Sequence, residues 1–190
     1  MDYQRLASEL LRALRARRSQ AALNRRLGYT ANVAYAWESG RRFPPAGVLF
    51  RIAALNGLAL EQVAAFARPL RLAAIDKRAW SAHQTAALLR ALAGETPVIQ
   101  VARAVRVDRS TMTRWLHGKT EPRLPEFLHF VEAMTHRLIE FLALFVDPTQ
   151  LRSVRPIARG LRAQRHMAYE LPFSHAVLRA LELTAYRTAP

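Results

Sequence analysis

The chain repeats itself. Laid against its own sequence with Leu10 opposite Leu88, the stretch Leu10 to Ala67 aligns with Leu88 to Phe145 without a gap. Leu10, Leu11, Arg12, Ala13 and Leu14 recur as Leu88, Leu89, Arg90, Ala91 and Leu92, and Trp37, Gly40 and Pro44 recur as Trp115, Gly118 and Pro122. The retained residues are core-sized or set the backbone, and they fall at both ends and in the middle of one register. Internal duplication of one supersecondary unit is the economical reading.

Each copy reads as short helices joined by tight turns, because apolar residues recur at helical spacing and Gly or Pro punctuates them. An all-α protein is expected. In the first copy Asp2 is placed to cap a helix to about Arg18, Ser19 a second to Leu27, and Thr30 a third to Ser39, with Gly40 ending it. Pro44-Pro45 then opens a turn ahead of a fourth helix over 46–55, and Asn56-Gly57 separates that from a fifth near 60–67. The second copy starts on the capping-box pattern Ser81-x-x-Gln84, and Asp108 takes the capping role of Thr30. The stretch 126–146 contains no Gly or Pro and is expected as one long helix where the first copy has two.

The resulting organisation is a first domain over 1–67, a linker over 68–80, a second domain over 81–147 and a basic helical tail over 148–190. Asp147-Pro148 marks a helix start or a linker. In the tail Arg152, Arg155, Arg159, Arg162 and Arg165 recur every three or four residues, with Pro156 and Gly160 limiting how much of this is one helix. A closing amphipathic segment, 174–186, brings Val177, Leu178, Leu181 and Tyr186 near one another. It is suited to assembly, to covering the repeats, or to opening a further domain.

Charge narrows the partner. The 29 Lys+Arg outnumber the 14 Asp+Glu for a net +15, and Lys77 and Lys119 are the only lysines. A polyanion is expected, and arginine suits phosphate and guanine because its planar fork donates two parallel hydrogen bonds. Without cysteine there is no disulfide framework, thiolate metal site or thiol nucleophile. No run of apolar residues is long enough to span a bilayer, and the charged start lacks the apolar stretch of a signal peptide.

The residues Ser19-Gln20 through Leu27-Gly28, then Tyr29-Thr30, and onward to Trp37-Glu38-Ser39-Gly40-Arg41-Arg42-Phe43-Pro44, resemble the Cro/CI-type (XRE) helix-turn-helix family. The resemblance covers nearly all of each aligned copy. It implies two tandem lambda-repressor-like helix-turn-helix bundles. In each, the second helix braces on the DNA backbone while the third lies in the major groove. Gly28 suits the sharp turn between them, and Arg106 replaces it in the second copy. The small residue usual where the two helices cross is kept as Ala102 but is Asn24 in the first copy. Gln20 matches the family's phosphate-contacting glutamine, and Val98 stands there in the second copy.

With Ala34 and Trp37 facing inward, the first copy offers the groove Ala31, Asn32, Val33, Tyr35 and Ala36, behind the cap Thr30 and with Arg41 and Arg42 just beyond. The second, with Met112 and Trp115 inward, offers Asp108, Arg109, Ser110, Thr111, Thr113 and Arg114, with Lys119 beyond, and is the richer reading head. His129, Glu132, His136 and Glu140 would share a helix face at metal-ligand spacing, but such a stripe is more often simply solvated and no further ligands are evident. No nucleophile, phosphate-cradling loop or carboxylate motif rises above chance, so no enzyme, cofactor, metal or small-molecule ligand is expected.

The function expected is sequence-specific binding of double-stranded DNA by a cytoplasmic, nucleoid-associated bacterial regulator, a repressor more often than an activator in this family. Two units in one chain are suited to two half-sites about one helical turn apart. A homodimer of such chains is compatible with this. Three other readings stand beside it: an autoregulating antitoxin, a protein-interaction adaptor, and a nucleic-acid-binding protein without sequence preference.

Overall fold

The computed structural model describes residues 1–58, 60–67 and 80–170, with side chains to residue 165. Most of the expected linker and the amphipathic segment at 174–186 lie outside the described residues. Within them the protein is all-α, and the only sheet-like pairing there is an isolated bridge between Pro45 and Arg123. Helices α1 (Tyr3–Arg15), α2 (Gln20–Leu27), α3 (Val33–Glu38), α4 (Ala46–Leu55) and α5 (Glu61–Phe66) make up the first half. Helices α6 (Ala82–Ala93), α7 (Val98–Val105), α8 (Arg109–Leu116), α9 (Leu124–Thr135) and α10 (Leu138–Ala143) make up the second. A 3₁₀ turn, Pro148–Gln150, leads to α11 (Arg155–Glu170). Among the described residues no helix is long and apolar enough to cross a membrane.

Side-chain caps set five of the helix starts. The carboxylate of Asp2 accepts from the Arg5 N–H, the Ser19 hydroxyl oxygen from the Ala22 N–H, and Asp108 from the Thr111 N–H. Ser81 and Gln84 form the reciprocal capping box. Four expectations are corrected. Helix α1 stops at Arg15 because Ala16 turns to φ 54°, leaving 16–18 outside it. Helix α3 starts late: its cap is Asn32, not Thr30, because the Asn32 amide oxygen accepts from the Tyr35 N–H. The stretch 126–146 is two helices. It breaks at His136, φ 53°, where Glu132 accepts from the Leu138 N–H and restarts the chain as α10. Conversely, α11 runs through Pro156 and Gly160 as one helix, since a proline in the first turn removes an N–H that has no intrahelical partner.

Contacts of the first half recur in the second in the register of the repeat. Helix α1 packs on α3 and α4 as α6 packs on α8 and α9, and α2 on α3 as α7 on α8. The Arg12 guanidinium donates to the Glu38 carbonyl at the end of α3, and that of Arg90 to the Leu116 carbonyl at the end of α8. Helix α1 also packs on α9, and α6 on α4, so the core runs without interruption through both halves. Phe50 lies at its centre, stacked on Trp80 at 4.0 Å and edge-on to Phe127. The start of the tail joins the same core through Leu151 and Val154, and the Ser153 N–H donates to Glu9 of α1.

Candidate nucleic-acid interface

Two short helices, α3 and α8, are each held by a preceding helix across a tight turn, and each turns one face outward. Ala34, Trp37, Met112 and Trp115 are buried, as the spacing predicts. Both turns close through a left-handed residue: Gly28 at φ 80°, ψ 21° and Arg106 at φ 61°, ψ 43°. The bonds that follow match, from the Tyr29 N–H to the Asn24 carbonyl at 2.9 Å and from the Val107 N–H to the Ala102 carbonyl at 3.0 Å.

Asn24 explains how the first half crosses its helices without a small residue. Buried between α2 and α3, it accepts from the Ala34 N–H at 3.1 Å and donates to the Asn32 side chain at 3.0 Å. A polar side chain is tolerated there because both its ends are bonded. The same bond occupies the Asn32 oxygen, which also caps α3, leaving its NH₂ group to face outward as a donor. Thr30 and Ala31 are exposed in the turn before α3, and Tyr35 stands 46% exposed with the Arg41 guanidinium 5.3 Å from its ring centre. Arg42 is exposed beside them. Gln20, half-buried at the start of α2, has its amide engaged as a donor to Glu38 at 3.0 Å.

Around α8 the hydroxyls are committed. Ser110 and Thr111 donate to the Asp108 carboxylate at 2.5 and 2.7 Å, and Thr113 donates back to the Arg109 carbonyl at 2.8 Å. The Ser110 and Thr111 bonds hold the Asp108 carboxyl well below the usual carboxylate range, so it stays ionised at the start of α8. The exposed Arg109, Arg114 and Lys119 side chains have no partner among the described residues and are the groups available to a ligand.

Glu38 sits at the base of α3, where it accepts from Arg15 at 2.5 and 3.1 Å and from Gln20. Burial pushes its carboxyl up, but these bonds and the charges of Arg15 and Arg12 outweigh that and hold it below its ordinary value. The histidine stripe is split between two helices, α9 and α10, and does not share one helix face. His129 stacks on Tyr3 at 4.8 Å, and His136 is the residue that breaks the helix. No group of His, Cys, Asp or Glu able to hold a metal occurs among the described residues.

Sequence reading passed over Arg25 and Arg103. They are counterparts in the register of the repeat, both exposed near the ends of α2 and α7 with no partner among the described residues. The signal was available: Arg12/Arg90 and Arg25/Arg103 are the charged pairs kept identical, and the first is explained by its bonds to the ends of α3 and α8. Arg123, exposed and donating to the Phe43 carbonyl at 3.3 Å, was likewise not singled out.

Comparison with known families decides the nature of the first half. Its residues 7–66, from the first turns of α1 to the last residue of α5, match the model of a helix-turn-helix domain. This stretch is a helix-turn-helix DNA-binding domain. No curated protein and no solved structure matches the chain significantly. In helix-turn-helix domains generally the second helix of the motif enters the major groove, and α3 holds that position in the first half.

Proposed function

We propose that the chain is a sequence-specific regulator of transcription built from two tandem helix-turn-helix units of the Cro/CI type, acting as a repressor by occupying promoter DNA. The unmatched second half is read as the second unit. What carries this is the recurrence of one set of bonds in the register of the repeat, down to the left-handed turn at Gly28 and Arg106 and the Arg12 and Arg90 bonds to the ends of α3 and α8. The net charge of +15 supplies the affinity for phosphate, and Arg109 and Arg114 supply donors that suit guanine. The reading is of a binding protein without a catalytic step.

Selection of binding sites from random duplexes tests it. A specific regulator returns a motif, and its affinity falls steeply with salt as counterions are released. A chain that returns no motif, or that prefers single-stranded RNA, is not such a regulator.

A further inference from the structure

We infer that a single chain presents its two reading helices across an internal two-fold axis. Its ligand is therefore a duplex carrying two inverted, non-identical half-sites, bound one chain per duplex. This rests on the reading of both halves as DNA-reading units proposed above, and it adds the symmetry, the arrangement of the site and the stoichiometry.

A tandem repeat alone leaves the arrangement open, since two copies can follow one another head to tail or face each other. The contacts between them decide. In a head-to-tail pair the two copies use different surfaces, whereas across a two-fold axis both use the same one, and every contact has its reciprocal. Here the Ala46 N–H donates to the Pro122 carbonyl at 2.9 Å, and the Leu124 N–H donates to the Pro44 carbonyl at 2.9 Å. Replacing each residue of either bond by its counterpart in the other copy produces the other bond. Between them Pro45 bridges antiparallel to Arg123, its own counterpart, so the axis passes through that pair. The helices obey the same exchange: α1 lies on α9 of the other half, and α6 on α4.

The axis also lies close to the reading helices in the chain. Helix α3 ends at Glu38 and α8 at Leu116, each seven residues before the bridge. Seven residues extend at most about 25 Å, so each helix end is held within that distance of the axis. Half-sites one helical turn apart, about 34 Å between centres, need about 17 Å on each side. The connecting loops carry Arg41, Arg42, Lys119 and Arg123, all exposed, while the acid among them, Glu121, already accepts from Thr85 at 2.7 Å. Those four cations flank the axis and suit the phosphates at the middle of the site. Arg25 and Arg103 are mates across the same axis and suit phosphates on its two flanks. The reading faces differ, Asn32 and Tyr35 on one side and Arg109 and Arg114 on the other, so the two half-sites differ in sequence.

The test is site selection with the full chain, followed by native mass spectrometry and affinity measurement on the selected duplex. Expected are a bipartite motif with unlike halves and one chain per duplex. Turning one half-site into direct order, or moving it by half a helical turn, lowers affinity at least about 100-fold, because one half then loses its base contacts. Arg109→Ala changes preference in one half only and Tyr35→Ala in the other, while Arg25→Ala and Arg103→Ala weaken all duplexes alike. A motif bound equally well in direct order, a single half-site that suffices, or two chains on one bipartite site overturns the two-fold inference and leaves sequence-specific reading intact. Failure to recover any motif overturns both.

Discussion

Ala16 and Arg106 hold backbone conformations for which the other half of the chain supplies glycine. Ala16 ends α1 at φ 54°, ψ −130°, and its counterpart Gly94 ends α6 at φ 55°, ψ −133°. Arg106 likewise takes the left-handed turn that Gly28 takes in the first half. A Cβ at either glycine would meet no neighbouring atom, so the cost of a side chain in these turns is conformational. Strain of this kind costs about 1–3 kcal/mol, against about 0.5–1 kcal/mol for the extra freedom glycine brings to the unfolded chain. Ala16→Gly and Arg106→Gly should therefore each stabilise the fold by about 1 kcal/mol and add when combined, the two sites lying in different halves. Urea denaturation reads this directly, and a loss of stability in both would refute the strain argument. The Glu38 cluster offers a second internal comparison, because Leu116, Ala93 and Val98 stand where the first half has Glu38, Arg15 and Gln20. Glu38→Leu alone strands the half-buried Arg15 and should cost about 3 kcal/mol. Adding Arg15→Ala and Gln20→Val should return stability to within about 1 kcal/mol of the parent. The sign of the pH effect follows from the lowered Glu38 carboxyl. Its contribution is present above the unfolded value of about 4.3 and lost as pH falls through the lower folded value, so the triple variant should lose less stability in acid than the parent.

Helix ends were legible where a side chain or a glycine announces them. Asp2, Ser19, Ser81 and Asp108 marked four starts, and Pro44-Pro45 the fifth, because each motif acts within its own turn. The end of α1, the start of α3 and the break at His136 were not, because what sets them is not written as Gly or Pro. Asn32 becomes the α3 cap with the support of Asn24, a residue of the preceding helix, and His136 holds a left-handed turn that the Glu132 carboxylate makes useful by capping α10. The same limit hid the state of the α8 hydroxyls: composition marks Ser110, Thr111 and Thr113 as polar but not as already bonded. Two expectations follow for α8. Arg109→Ala and Arg114→Ala should each relax discrimination by about 1–3 kcal/mol at one base pair if the contact is bidentate, and by more than Asn32→Ala does, since the Asn32 oxygen is occupied. Asp108→Asn keeps an acceptor for the Thr111 N–H while removing a negative charge that faces the same polyanion, so affinity should rise for all duplexes alike. Binding isotherms on selected and scrambled duplexes separate the two effects, and an unchanged affinity for Asp108→Asn would place that carboxylate away from the phosphates.

At the scale of the whole molecule, the ungapped register of Leu10 to Ala67 on Leu88 to Phe145 was legible, but the joining of the two stretches was not. A register gives order along the chain, whereas α1 on α9 and α6 on α4 are contacts between segments far apart in sequence that no local pattern encodes. Because those contacts carry the core through both halves, they should melt together. Phe50 belongs to the first half, yet its ring meets Trp80, Phe127 and Phe145, which are supplied by the second half and the segment leading into it. Removing that ring leaves a cavity with walls from both sides and should cost about 3–5 kcal/mol. The tryptophans allow each half to be followed separately. With Trp80→Phe and Trp115→Phe the signal comes from Trp37, packed edge-on against Tyr29 in the first half, and with Trp37→Phe and Trp80→Phe it comes from Trp115 in α8. In one cooperative unit, adding Phe50→Ala to either background lowers the urea midpoint by the same stability increment, and each background unfolds in a single transition by fluorescence and circular dichroism alike. If the halves fold independently, Phe50→Ala moves the Trp37 signal and leaves that of Trp115 where it was. That result would return the molecule to two beads on a string and remove the rigid spacing on which the reading of two half-sites by one chain depends.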